Sequence, residues 1–115
     1  MSNNSVVKVE ATITFKRNLR NLSKKYRHIW SDIKPIIKKL ETGDLPGVQI
    51  SGIDYQVFKL RVKNSDIQKG KSGGYRLIYY VKTEQGIILL TIYPKSEKTN
   101  ITNQEIINII QNYKK

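Results

Sequence analysis

The sequence Ile-Ile-Leu-Leu-Thr-Ile-Tyr at residues 87–93 is apolar at almost every position, so a strand formed by it has two apolar faces. Such a strand belongs in the interior of a sheet, where both faces are buried. The run is far shorter than the roughly 20 apolar residues that a membrane-spanning helix needs. It therefore predicts the central strand of a sheet, over residues 86–93, in a folded domain.

Three further strands are predicted from alternating apolar and polar residues and from β-rich composition. They cover 6–13, 55–63 and 74–81, and a turn at 83–86 joins the last of them to the central strand. The segments 44–54 and 64–74 are rich in glycine, proline or polar residues, so they are predicted to be loops.

Apolar residues spaced three or four apart predict two helices between the first two strands. The first is predicted to begin after Thr14 as its N-cap and to carry its apolar stripe as far as Tyr26. The second ends at Gly43, which suits a C-terminal cap. Its start is left open, because Pro35 fits the first turn of a helix only if Ser31 is the N-cap.

A third helix is predicted at the C-terminal end, where Thr102 and Glu105 have the spacing of a capping box and Ile101 and Ile106 suit a hydrophobic staple. The order of elements is thus β-α-α-β-β-β-α. It predicts an α+β fold, with two N-terminal helices on one face of a four-stranded, antiparallel-rich sheet and a C-terminal helix in addition. Neither a repeat nor a linker divides the sequence, so residues 1–115 are assigned to a single domain.

Charge is the strongest compositional signal. The chain has 21 lysines and arginines against 9 aspartates and glutamates, a formal net charge of +12. Such a surplus favours a polyanionic partner: nucleic acid, anionic lipid or an acidic protein. There is no cysteine, which excludes disulfides and thiolate chemistry and fits a reducing cytoplasm. Lys8 and Glu10 stand where a signal peptide needs its apolar segment, so we expect neither export nor membrane insertion.

The predicted strand at 55–63 places cations on one surface. Lys59, Arg61 and Lys63 alternate with apolar residues, so they share one face about 7 Å apart. If the helical hairpin covers the other face, the cationic face is open. Parity brings Arg76 of the next strand to the same face, and this convergence of Lys59, Arg61 and Arg76 is the main functional inference from the pattern.

Several familiar site chemistries do not fit the sequence. His28 stands alone between two helical patterns and is interpreted as a surface residue, and the nine acidic residues are scattered, so neither a metal site nor a Ser-His-Asp triad is predicted. Gly70-Lys71-Ser72 resembles the end of a phosphate-binding P-loop. That motif needs a glycine five residues before Gly70, where this sequence has Ser65, and a strand follows instead of a helix. The remaining interpretations are a solvent-exposed hairpin and a loop that contacts an RNA backbone.

Three segments carry a family resemblance. They are Phe-Lys-Leu-Arg at 58–61, Gly-Lys-Ser-Gly-Gly-Tyr-Arg-Leu-Ile-Tyr-Tyr at 70–80 and Leu-Thr-Ile-Tyr-Pro-Lys-Ser-Glu-Lys at 90–98. The chain, from Phe15 to about Ile110, resembles toxins of the RelE/ParE superfamily and within it the HigB-type branch. The resemblance implies the toxin of a type II toxin-antitoxin system: a cytoplasmic endoribonuclease that inhibits translation by metal-independent mRNA cleavage in the ribosomal A site, without a cofactor.

The same resemblance implies roles for particular residues. Arg76 matches the arginine that stabilises the scissile phosphate, Lys59 a strand lysine of the active face, and Lys95 the basic position after the last strand. Two departures leave the general base open: Val57 replaces a second strand lysine, and no tyrosine stands near Thr102. Tyr93 is a candidate substitute, with packing at the end of a strand as the alternative.

Residues expected to contact RNA surround this set. They are Arg61, Lys63, Lys69, Lys71, Tyr80 and Lys98. Tyr80 shares the parity of Arg76 and is a candidate for stacking on a base, whereas Tyr79 is expected to be structural.

The implied partners are the ribosome with its mRNA and a cognate antitoxin, predicted to be acidic where it covers the cationic face or displaces the last helix. The toxin-antitoxin complex is expected to bind operator DNA through the antitoxin. Two alternatives remain: a non-enzymatic, ParE-like poison of DNA gyrase and a passive RNA-binding module. The cationic set argues against the former, and the lack of a paired aromatic platform argues against the latter.

Overall fold

The computed structural model describes residues 6–67 and 73–114, which form one mixed sheet with helices on both faces. The elements run in the order β1 (Lys8–Ala11), α1 (Ile13–Ser23), α2 (Ile29–Glu41), β2 (Val48–Gln49), β3 (Val57–Val62), β4 (Tyr75–Thr83), β5 (Gly86–Pro94) and α3 (Asn103–Lys114). The strand order in the sheet is β1-β5-β4-β3-β2. The predicted α+β class and order of the main elements are therefore confirmed.

The position of β5 inside the sheet explains why this strand is apolar on both faces. It lies between β4, to which it is antiparallel, and β1, to which it is parallel. The sheet has five strands instead of the predicted four, because two residues of the segment 44–54 pair with β3: Val48 lies opposite Lys59 and Gln49 opposite Phe58. A strand of two exposed residues is too short to give an alternating pattern.

Helix α1 begins earlier than predicted, and the start of α2, which the sequence left open, lies at Ile29. Thr12, not Thr14, is the N-cap of α1, because its buried hydroxyl accepts a hydrogen bond from Phe15 N (2.9 Å) while donating one to the Leu90 carbonyl (2.8 Å). His28, not Ser31, is the N-cap of α2, and Pro35 lies inside that helix.

Helices α1 and α2 pack on one face of the sheet. That face takes Phe58 and Val62 from β3, Tyr75, Leu77 and Tyr79 from β4, and Ile87, Leu89 and Ile92 from β5. The predicted helical stripes supply the other side of this core, which includes Phe15, Leu22, Ile29, Ile33 and Leu40. The packing predicted for the helical hairpin is therefore confirmed.

The opposite face is not wholly open, which corrects the expectation that it is left free for function. Helix α3 packs there, and Ile106 and Ile110 form a second core with Val57, Ile78, Ile88 and Leu90. The capping box is present, since Thr102 N donates to Glu105 Oε1 (2.9 Å) and Glu105 N to Thr102 Oγ1 (3.1 Å). In the part of the chain that the structure describes, no helix has the length and apolar character needed to cross a bilayer.

A substitution of Leu77 on β4 tests the core that is assigned beneath α1 and α2. The Leu77 side chain is 0% exposed in this core, so Leu77→Ala should lower the free energy of unfolding by about 2–5 kcal/mol. The control is Ile13→Ala, which truncates a residue that is 74% exposed and should change stability by about 0.5 kcal/mol or less. Urea unfolding measures both; similar losses in the two variants would contradict the assigned core.

Candidate functional site

Three polar side chains form a row across the sheet on the face that carries α3. Arg61 of β3 is directly opposite Arg76 of β4, and Arg76 is directly opposite Tyr93 of β5. Residues paired in this way have Cβ atoms about 4.5–5.5 Å apart. Lys59 lies two residues before Arg61 on the same face, about 7 Å along the strand. The structure therefore brings Lys59, Arg61, Arg76 and Tyr93 to one surface, here called the cationic row.

Tyr93 reaches this row because β5 contains one extra residue. Ile78 pairs with Thr91, whereas Tyr79 pairs with Leu89, so Leu90 has no partner of its own on β4. Such a bulge shifts the alternation by one residue, so each later side chain of the strand points to the other face of the sheet. Without it, Tyr93 would share the face of Leu89, beneath the helices.

Arg76 is the most unusual member of the row. Arg76 is only 6% exposed, and its Nη1 donates hydrogen bonds to the carbonyl oxygens of Gly73 (3.2 Å) and Tyr75 (3.3 Å). Within residues 6–67 and 73–114, Arg76 forms no ion pair with a carboxylate. A buried charge without a counter-charge is costly, and Arg61 directly opposite adds repulsion. The arrangement favours binding of an anion.

Tyr93 supplies a phenol that holds its proton. Burial raises the pKa of Tyr93, and the neighbouring Arg76, which acts in the opposite direction, does not cancel this effect. Its hydroxyl is buried and has no hydrogen-bond partner among the described residues. This chemistry suits a hydrogen-bond donor better than the general base suggested by the sequence.

Lys95 is anchored beside the row by its backbone. Its N–H donates to the Gly74 carbonyl (3.0 Å), at the point where the chain enters β4. Gly74 has φ +75°, and a Cβ there would lie 2.5 Å from the Val62 carbonyl oxygen, so the close approach requires glycine. These two close approaches at Gly74 hold together the end of β3, the start of β4 and the segment after β5.

Lys98 is already paired. Its Nζ lies 2.7 Å from Glu105 Oε2, and this hydrogen bond is the main cause that lowers the pKa of Glu105, followed by the Thr102 N–H. The capping-box pattern indicated the role of Glu105 at the helix start but gave no sign of this ion pair.

Other predicted RNA contacts lie away from the row. Tyr80 is on the same face but four residues beyond Arg76, and its ring packs edge-on against Tyr55 (centroids 5.4 Å apart). Lys63 is exposed just after β3. Lys69 and Lys71 lie outside the described residues. Tyr79 faces the helices, where its ring stacks on Phe58, and its hydroxyl donates to the Pro46 carbonyl.

His28 has a partner that sequence reasoning missed. Its side chain is 63% exposed, as a surface residue should be, yet Nδ1 lies 2.6 Å from Asp66 Oδ1. The two residues are 38 positions apart, so no local pattern signals the contact. Among the described residues, histidine and acidic side chains form no cluster suited to a metal ion.

Two tyrosine hydroxyls in contrasting surroundings test the description of Tyr93. Tyr93→Phe removes a buried hydroxyl without a described partner, so it should leave the free energy of unfolding unchanged or raise it slightly. Tyr79→Phe removes a hydroxyl that donates to Pro46 and should cost about 1 kcal/mol. Urea unfolding compares them; a larger loss for Tyr93→Phe would mean that its hydroxyl has a stabilising partner.

Comparison with known proteins identifies the family of the chain. The sequence model of the RelE toxin of the RelE / RelB toxin-antitoxin system matches residues 7–114, nearly the whole chain. Searches among curated proteins and among solved structures gave no match. The family match does not address the HigB-type branch, which stays a prediction. The chain belongs to the RelE toxin family and is a toxin of the toxin-antitoxin type.

Proposed function

We propose that the protein is a cytoplasmic, ribosome-dependent mRNA endonuclease. The observation that carries the proposal is the buried guanidinium of Arg76, which has no carboxylate partner among the described residues and lies between Arg61 and Tyr93. Membership of the RelE toxin family supports the same class of activity. The reaction is cleavage of a phosphodiester by the neighbouring ribose 2′-hydroxyl.

In this reaction the 2′-oxygen forms a bond to phosphorus as the bond from phosphorus to the 5′-oxygen breaks. A cyclic phosphate and a free 5′-hydroxyl result, with one proton removed from the 2′-hydroxyl and one delivered to the 5′-oxygen. Negative charge accumulates on the phosphate oxygens in between. We assign its stabilisation to Arg76, because a guanidinium binds two oxygens at once and is already desolvated here.

Two lysines flank Arg76 and are suited to the proton transfers. Lys59 lies on β3, half-buried on the face of the row, and Lys95 follows β5, where the Gly74 carbonyl fixes its backbone. We assign the removal of the 2′-hydroxyl proton to one of these amines and the delivery of a proton to the 5′-oxygen to the other. Tyr93 keeps its proton, and we assign it a hydrogen bond toward the phosphate instead of the role of base, which requires its buried hydroxyl to become accessible when RNA binds.

The remaining sequence-based assignments extend the RNA path from this centre. We propose phosphate contacts for Arg61, Lys63, Lys69, Lys71 and Lys98 and stacking on a base for Tyr80. For Lys98 this requires exchange of the Glu105 carboxylate for a phosphate, and for Tyr80 it requires the ring to separate from Tyr55. An antitoxin that is acidic in its toxin-binding segment would neutralise the same charges and contribute the DNA-binding surface of the complex.

Substitution of Arg76 tests the proposal directly. In a reconstituted translation reaction, Arg76→Ala should reduce mRNA cleavage about 100-fold or more, on the scale of a lost transition-state donor. Arg76→Lys keeps the charge but loses the fork, so it should restore only part of the rate. The matched control is Arg20→Ala on the exposed surface of α1, expected to cleave normally. Intact mRNA with inhibition of gyrase supercoiling by the wild-type protein would favour the ParE-like alternative.

Salt dependence tests the nature of the target. Because each phosphate contact releases counterions, affinity for the ribosome should fall steeply with salt, and Arg61→Ala should reduce the slope by about one contact. Binding by filtration or fluorescence over a salt series measures this. An affinity that does not respond to salt would contradict a phosphate-rich binding surface.

A further inference from the structure

The start of α2 and the connection between β3 and β4 are joined by two carboxylates. Asp66 Oδ2 accepts the backbone N–H of His28 (2.7 Å), and Asp66 Oδ1 lies 2.6 Å from His28 Nδ1. In return, Asp32 Oδ2 in the first turn of α2 accepts the backbone N–H of Ser65 (2.9 Å). The His28 hydrogen bonds lower the pKa of Asp66, so this carboxyl is ionised at neutral pH and Nδ1 carries the proton.

The residues that follow β3 pack against the residues that precede β4. The buried Asn64 accepts the Asp66 N–H through Oδ1 (2.9 Å), and the Ile67 N–H donates to the Asn64 carbonyl (3.3 Å). Ile67 packs against the core beneath the helices, and its side chain lies near Gly73, where an added Cβ would be 3.6 Å from Ile67 Cδ1. Residues 64–67 and 73–74 thus form one packed unit, here called the loop base.

The loop base holds two members of the proposed active site. The Gly73 carbonyl accepts a hydrogen bond from Arg76 Nη1 (3.2 Å), and the Gly74 carbonyl accepts the Lys95 N–H (3.0 Å). On the helix face, the fully buried Tyr75 packs edge-on against Tyr26, which lies between α1 and α2 (ring centroids 5.7 Å apart). A displacement of the loop base would therefore move both Arg76 and Lys95.

We propose that His28 and Asp66 act as a positioning clamp, which orients Arg76 and Lys95 for phosphodiester cleavage by fixing the loop base to the start of α2. The inference rests on the proposed function for its catalytic part. Neither residue touches the reacting atoms; their contribution passes through the carbonyls of Gly73 and Gly74. The clamp fixes the backbone beside the cationic row to the start of α2, which lies on the other face of the sheet.

A pair of substitutions at one position separates the clamp from general stability. His28→Ala removes the ring donor, whereas His28→Asn places an amide N–H close to the position of Nδ1 and cannot titrate. At saturating ribosome, His28→Ala should lower the single-turnover cleavage rate about 10-fold, with half-saturation unchanged within about two-fold. His28→Asn should recover most of the rate, and thermal unfolding confirms that both variants are folded.

Two readouts do not depend on cleavage. Amide hydrogen exchange at Lys95, protected by the Gly74 carbonyl, should accelerate about 10-fold in His28→Ala but not in His28→Asn. The carboxyl carbon of Asp66, followed by NMR, should titrate at higher pH in His28→Ala, because the side-chain hydrogen bond from His28, the main cause that lowers its pKa, is lost. The charge of Arg27 also lowers this pKa, and Asp32 lies nearby on the Ser65 N–H. Asp66→Asn is the second variant and should reproduce the loss of rate.

Lys8→Ala is the matched control, because it removes an exposed ion pair with Glu10 (3.2 Å) on β1, at the far edge of the sheet, and should leave both cleavage and Lys95 exchange unchanged. The clamp is overturned if His28→Ala and Asp66→Asn cleave like wild type in a reaction that depends on Arg76, or if Lys95 exchange does not change. If the wild-type protein does not cleave mRNA at all, the proposed function fails, and the clamp is decided by the exchange measurement alone.

Discussion

One unpaired residue in β5 decides whether Tyr93 joins Lys59, Arg61 and Arg76 on the cationic row. Leu90 interrupts the alternation, so Ile92 faces the helices and Tyr93 faces Arg76. The bulge costs some ladder pairing, but Thr12 compensates on the other edge, since its hydroxyl donates to the Leu90 carbonyl while capping α1. The same threonine therefore begins the helical hairpin and stabilises the irregularity that shapes the site.

Strand β4 serves the core and the site with alternate residues. Tyr75, Leu77 and Tyr79 face α1 and α2, while Arg76 and Ile78 face the other way. Because the pleat rigidly couples neighbouring residues, the packing that fixes Leu77 also fixes the backbone on either side of it, including that of Arg76. A buried guanidinium without a carboxylate partner among the described residues is a local destabilisation, and a core of this kind offsets it. Binding of an anionic partner would relieve the repulsion between Arg76 and Arg61.

Features set by local spacing could be predicted from the sequence. Alternation placed Lys59 and Arg61 on one face, and the Thr102–Glu105 spacing gave the start of α3. Strand parity also brought Arg76 to that face, whereas its role at the phosphate came from the resemblance to a toxin family, and parity alone does not reveal its burial. The face of the sheet on which α3 and Tyr93 lie was harder to predict. The local sequence of α3 does not say which face it covers. Uninterrupted alternation through 87–93 would have placed Tyr93 beneath the helices α1 and α2.

Two ion pairs between side chains were not predicted from the sequence. His28 and Asp66 are 38 positions apart and Lys98 and Glu105 only 7, yet both pairs escaped notice, because each acid lies in a segment with an adequate local explanation. A turn explains a polar Asp66, and a capping box explains Glu105. The two pairs flank the cationic row, one through the loop base and one at the start of α3. If the two pairs fix the backbone on either side of the row, they do so without placing a carboxylate on Arg76 among the described residues, which keeps its guanidinium available to an anion.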